Sequence, residues 1–395
     1  SGSCNVAMGF CALAANTTCS GNTAVGSFAL CKNTSVNNTA LGFCAMLCNT
    51  EGGQNVAVGR SMNKNCCGSD NTAVGYLALD CNVDGSNNTV VGSQALNFNT
   101  TSNNTAMGYG AAYCSTGCQN TAIGSLALRG SGTSNGTKNV AVGYTALCKV
   151  TAGALNVAVG ANALKCNTSS CSNTAIGYNS LLVNDAPSNT AVGKDSMESN
   201  TSGNNNTAVG ADALAANTTA CNNVAMGKSA LAANTTGYDN VAIGSCALDA
   251  NNANDNTAVG RNALGVNTSG TRNTALGYAT LDANTTASYN TAVGGLALST
   301  NTEGTNNVAL GYSALYCNLC GAYNTAVGNY ALEKSSADHN TAVGYQAGCS
   351  TTSGDCNVAV GAFSLLCNTT GDYNIAIGRT ALRNNTCSLN VGIGY

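Results

Sequence analysis

The stretch Asn71-Thr72-Ala73-Val74-Gly75-Tyr76-Leu77-Ala78-Leu79 decides how this chain folds. Its first five residues recur, with slight variants, twenty-four times between Asn5 and Asn390. The steps are sixteen or seventeen residues, apart from one of nineteen between Asn120 and Asn139. A period of this length over the whole chain is the mark of a repeat architecture, in which each unit buries its apolar face only by stacking on the next. We therefore expect an all-β protein, a parallel β-solenoid or β-roll of about twenty-four coils, forming one continuous array over residues 1–395 without separate caps.

Counting from the motif Asn as position one, the second position is Thr in fourteen units and Val or Ile in ten. The fourth is always a large aliphatic, as in Met8, Val25, Leu41 and Ile123. Residues two apart share one side of a strand, so the unit predicts a short strand with a bulky face. The opposite face carries Ala at position three, except for Val90 and Gly392, and Gly at position five. The bulky face is expected to form a thin core. The Ala/Gly face is expected to pack closely on another sheet or chain, so that Ala158→Leu would abolish assembly. A second apolar patch follows at positions eight and nine, for instance Ala29-Leu30 and Ala213-Leu214. The rest of each unit is rich in Asn, Thr, Ser, Gly and Asp, the residues of tight turns.

Composition narrows the functional classes. Charged residues make up 8% of the chain and the net charge is −3, which leaves no basic footprint for nucleic acid. No apolar run approaches the roughly 20 residues that span a bilayer, so membrane insertion is not expected. No secretory signal opens the sequence, which reads as a mature or excised piece of an array. His339 is the only histidine and Pro187 the only proline. No nucleophile–base signature, calcium repeat or phosphate loop is present, so no catalytic residue, metal or cofactor is assigned.

The variable half of the unit carries two further signals. Nineteen of the twenty-two cysteines lie at positions ten to seventeen, and Cys11, Cys44 and Cys246 lie at position seven. This many cysteines fits an oxidising, extracellular setting. Four pairs are close enough in sequence to close one turn: Cys114 with Cys118, Cys166 with Cys171, Cys317 with Cys320, and Cys349 with Cys356. Cys48, Cys66, Cys67 and Cys81 lie in successive coils and could join rungs. Connectivity cannot be deduced from spacing, and inter-chain bridges stay open. Ten Asn residues at position twelve are N-glycosylation sequons: Asn16, Asn33, Asn99, Asn167, Asn200, Asn217, Asn234, Asn267, Asn284 and Asn368. Six more, Asn37, Asn87, Asn103, Asn135, Asn205 and Asn384, fall elsewhere. Asn-Thr-Thr also suits a tight turn, so glycan attachment and turn formation are both open. Tyr follows the motif Gly in eight units, among them Tyr76, Tyr109, Tyr312 and Tyr345. Such a stripe either covers the turn or offers sugars or another filament a surface.

The segments Asn71 to Leu79 and Asn340 to Ala347 (Asn-Thr-Ala-Val-Gly-Tyr-Gln-Ala) resemble the head repeats of YadA-like trimeric autotransporter adhesins and the repeats of phage and viral tail-fibre proteins. The resemblance implies a parallel β-roll, often a homotrimer, on a cell or virion surface and used for attachment. Three functions follow as expectations. The first is a non-enzymatic structural subunit of an extracellular filament, polymerised end to end by stacking of its solenoid units on further copies of itself and locked by disulfides. The second is a surface adhesin or fibre shaft that meets a host or surface receptor. The third, ice binding, is disfavoured because Thr at position two alternates with Val.

Overall fold

The computed structural model describes residues 2–132 and 134–395 and contains only strands, turns and bends among them. Twenty-four strands of three residues each coincide with positions two to four of the motif. Two compact units divide them evenly, Ser1–Asp195 and Ser196–Tyr395. The first unit runs from β1 (Val6–Met8) to β12 (Thr190–Val192), and the second from β13 (Thr207–Val209) to β24 (Val391–Ile393). Within each unit consecutive strands pair in parallel and in register. Thr207 lies opposite Val224, Ala208 opposite Ala225 and Val209 opposite Met226. Like residues therefore form columns, about 4.8 Å apart from coil to coil. The β-solenoid expected from the repeat is the fold of both units.

Which strand face is the inner one is the reverse of the expectation. The position-three Ala is fully buried in coil after coil, as at Ala24, Ala158, Ala242 and Ala326. The bulky fourth position faces out: Leu41 is 48% exposed, Leu276 46% and Leu310 45%. The physical reason is the width of the coil. Across from each strand, positions eight and nine return through the interior, and the Leu or Met at position nine fills it. Leu30, Met46, Leu79, Leu147, Leu214 and Leu231 are among the largest fully buried side chains. Between two backbones this close there is room for one Leu and small Ala side chains. A second large aliphatic from the strand does not fit. Val90, the exception at position three, is also fully buried. The following coil carries Ala112 where Leu96 and Leu128 stand on either side, so the swap conserves volume.

The backbone is bent hard to close such a narrow coil. Leu30, Leu79 and Leu214 all adopt left-handed φ values, between +48° and +51°, a conformation that costs L-residues roughly 1–2 kcal/mol apiece. At the motif Gly the constraint is absolute. Gly227 has φ +134°, and a Cβ there would lie 2.6 Å from the carbonyl carbon and oxygen of Gly244 in the next coil. No side chain fits, which accounts for the presence of Gly in every unit.

Candidate interaction surfaces

Each coil exposes two kinds of surface, a strand face and a turn edge, and the sequence decides the chemistry of both. On the strand face the fourth position forms an aliphatic row. In the second unit it includes Met226, Ile243, Leu276, Leu310 and Ile377, all of them exposed. Beside it runs the second position, mixed Thr and Val, with Val308 41% exposed. Twelve strands per unit make a band on the order of 50 Å long. Soluble monomers rarely show an apolar band of that extent.

Aromatic side chains border the band at positions six and seven. Tyr312, Tyr330, Tyr345 and Phe363 pack edge to face in sequence, with ring centroids 5.5, 6.2 and 5.3 Å apart. Phe10, Phe28 and Phe43 make the same zigzag at 5.3 and 6.4 Å. These rings cover the turn and pack on neighbouring coils, as edge-to-face geometry favours. Tyr312 and Tyr345 nevertheless stay 46% exposed.

The turn edge is held by two internal asparagine ladders. At position one, the backbone N–H of Asn240 donates to Oδ1 of Asn223 at 3.0 Å, and Nδ2 of Asn240 donates to the Ala253 carbonyl at 2.7 Å. At position twelve, Nδ2 of Asn267 donates to Oδ1 of Asn251 at 2.7 Å and to the Gly270 carbonyl at 2.9 Å. A polar group inside so small a core must be bonded in this way or cost about 1–3 kcal/mol. The ladders meet most of that demand; Oδ1 of Asn82, Asn167, Asn234 and Asn318 and Nδ2 of Asn173 are buried without a partner.

This geometry corrects the reading of the position-twelve sequons. Asn33, Asn99, Asn167, Asn200, Asn217, Asn234, Asn267, Asn284 and Asn368 are fully buried, and Asn16, in the first coil, is partly so. The amides of Asn217, Asn267 and Asn284 bond the Asn one coil away. A glycan on any of the nine is incompatible with the folded coil. The six off-phase sequons are placed differently, since Asn37, Asn87, Asn103, Asn135, Asn205 and Asn384 are all exposed. Four of these, Asn37, Asn87, Asn103 and Asn205, directly precede a motif Asn in the left-handed conformation.

The cysteines also depart from expectation. Every one of the twenty-two is a free thiol. None of the four expected turn-closing bridges forms: Cys114 is not bonded to Cys118, Cys166 to Cys171, Cys317 to Cys320, or Cys349 to Cys356. The turn between such a pair is already closed by the inward Asn, as when Asn167 donates to the Ser170 carbonyl at 3.0 Å and Asn318 to that of Gly321 at 2.9 Å. The backbone of these residues is engaged along the coil stack instead. Cys118, half-buried, accepts the Lys138 N–H at its carbonyl at 3.2 Å. Cys356, also half-buried and left-handed at φ +57°, donates its N–H to the Asp338 carbonyl at 3.1 Å.

Several thiols likewise bond between coils. Cys171 accepts the Ala154 N–H of the preceding coil at 3.3 Å, and Cys349 donates to Glu333 Oε2 at 3.3 Å. Burial, reinforced by that bond to Glu333, pushes the Cys349 thiol up to about 12, so it is a poor nucleophile. Two sulfurs that do meet are Cys66 and Cys67, 3.4 Å apart, with Cys66 also 3.0 Å from Thr50 Oγ1. They are neighbours in one coil, so their contact joins no rungs, and Cys48 and Cys81 remain free on either side.

His339 is exposed and stacks on Tyr323 with centroids 5.0 Å apart and ring planes at 14°. Among the described residues no group of three or more His, Cys, Asp or Glu side chains is arranged to hold a metal ion. No helix of the described residues is long and apolar enough to cross a membrane. Neither the models of known protein families nor the curated protein sequences match this chain.

Proposed function

We propose that this protein is a non-enzymatic structural subunit of an extracellular fibre, and that its chains associate side by side through the outward aliphatic row. The observation that carries the reading is that row itself: a band of Met, Ile, Leu and Val on the flat face of each unit, in register from coil to coil. Burying one such side chain contributes about 1.5–3 kcal/mol, and a second copy of the chain presents a face of the same period. The resemblance to adhesin and tail-fibre repeats, with the homotrimer it implies, points the same way. The exposed thiols of Cys317, Cys320, Cys367 and Cys387 lie in the turn half of the unit, where bridges between associated chains would lock a fibre.

A second reading, an attachment shaft that meets a host or surface receptor, is favoured by the half-exposed Tyr side chains beside the band. Electron microscopy of the purified chain separates the two. A structural subunit gives long unbranched fibres whose cross-section contains several chains. An attachment shaft gives short rods of uniform length, and single thin rods would remove the basis of lateral association.

A further inference from the structure

One coil of the first unit is notched. At position seven, Gln94 and Leu126 stand in successive register on either side of Gly110, and all three adopt φ between +59° and +60°. The backbone N–H of each donates to the coil before it: Gln94 to the Tyr76 carbonyl, Gly110 to Ser93 and Leu126 to Tyr109, at 2.8 to 3.0 Å. The column is therefore continuous in the backbone and lacks a side chain at Gly110 alone. A Cβ there would meet only Leu126 Cδ2, at 3.1 Å. The gap opens a cleft of about 130 Å³ lined by Gln94, Tyr109, Gly110, Tyr113, Leu126 and Arg129.

The lining is chemically one-sided. It offers the Arg129 guanidinium, two phenols and a carboxamide beside the Leu126 side chain, and no carboxylate. Neither ion pair formed among the described residues involves Arg129. Its surroundings are cationic as well. Burial raises the pKa of the neighbouring Cys148 thiol, while Arg129, Lys165 and Lys149 around it act in the opposite sense. Tyr113 is held in place by edge-to-face packing on Phe98, with centroids 5.1 Å apart, and the Tyr109 ring stands 56% exposed at the rim.

We propose that this cleft binds a carboxylate-bearing sugar ring, a hexuronic acid unit. Its carboxylate would pair with the Arg129 fork, a geometry guanidinium satisfies with two parallel hydrogen bonds. The C–H face of the ring would lie against Tyr109, and its hydroxyls would meet the Gln94 amide and the Tyr113 phenol. A neutral sugar leaves the guanidinium unmatched, and a bare inorganic anion leaves the aromatic wall unused.

The test is calorimetric titration of the full chain with tri-galacturonic acid, with the neutral galactose trimer and inorganic phosphate as controls. Two variants separate the contributions. Arg129→Gln removes the cation, and Gly110→Gln fills the notch with the residue that position seven already holds in the preceding coil. The expected result is binding of the uronate alone, weakened at least tenfold in each variant, with circular dichroism and assembly state unchanged. Absence of uronate binding, equal binding of the neutral trimer or of phosphate, or wild-type affinity in either variant would overturn the assignment. Because assembly is read separately by light scattering, failure here leaves the fibre reading untouched, and failure of the fibre reading leaves this one intact.

Discussion

Asn267 shows what a single residue contributes to this fold. It receives a hydrogen bond from Asn284 at 2.8 Å while donating to Asn251 and Gly270. Replacing it with Ala cuts one ladder at mid-length, and at about 1 kcal/mol net per bond the loss is on the order of 2–3 kcal/mol. Thermal unfolding followed by circular dichroism should register this as a clear fall in midpoint. If the chain comes from a glycosylating host, mass spectrometry of its peptides should find sugar on off-phase sites such as Asn37 or Asn205 and none on Asn267. Gly227→Ala should be more damaging than Asn267→Ala, because its Cβ collides with backbone at a φ that L-residues avoid. Soluble, folded material with the wild-type midpoint would refute that. Asp185 gives a pH signature. Burial alone would raise its pKa, but hydrogen bonds from the Thr168 hydroxyl and from the Thr168 and Ser169 backbone N–H groups outweigh this and leave it lowered. A lowered carboxyl adds stability above its unfolded value, near 3.9, and loses it as the pH falls through the folded one. The melting midpoint of Asp185→Asn should therefore fall less than that of the wild type on acidification below about pH 4.

At the scale of the strand, alternation was legible and orientation was not. The period of two in Asn-Thr-Ala-Val-Gly separates Thr72 and Val74 from Ala73 without ambiguity. Choosing the inner face then rests on the habit of placing large aliphatics inside, which holds only where the interior has width for them. Here the opposite wall is one Leu away. The clue lay in the same repeat, since Leu79 and its counterparts at position nine already supply the large buried residue. The asparagine ladders could be guessed from their constancy, but the sequence does not distinguish an inward Asn at position twelve from an exposed turn Asn carrying the same sequon. For most of the cysteines only their place in the turn half was legible. Spacing does not say that the turns holding Cys118 and Cys356 need no sulfur bridge, because it does not show which amides close them. Orientation is testable on adjacent residues. Ala242→Leu overpacks a fully buried site and should prevent folding, at about 1–3 kcal/mol or more. The neighbouring Ile243→Lys should fold with an unchanged circular dichroism spectrum. The opposite pattern would restore the bulky face to the core.

At the scale of the molecule, two compact units share one repeat and one outward chemistry. With 8% charged residues and a net charge of −3, little electrostatic repulsion opposes the approach of like chains. Two ion pairs occur among the described residues, Lys194 with Asp195 and Arg272 with Asp255. Stability rests instead on columns of Leu, Ala and Asn within the coil and, in the proposed fibre, on burial of the aliphatic row between copies. The most direct test of that claim is the solution mass of the full chain by light scattering, beside that of the triple variant Ile243→Lys, Leu276→Lys, Leu310→Lys. Association through the aliphatic row requires the wild type to weigh an integral multiple of one chain, three for the homotrimer. It requires the variant to fall to the mass of a single chain with its circular dichroism spectrum preserved. A wild type that is already a single chain, or a folded variant that keeps the multiple, would contradict it.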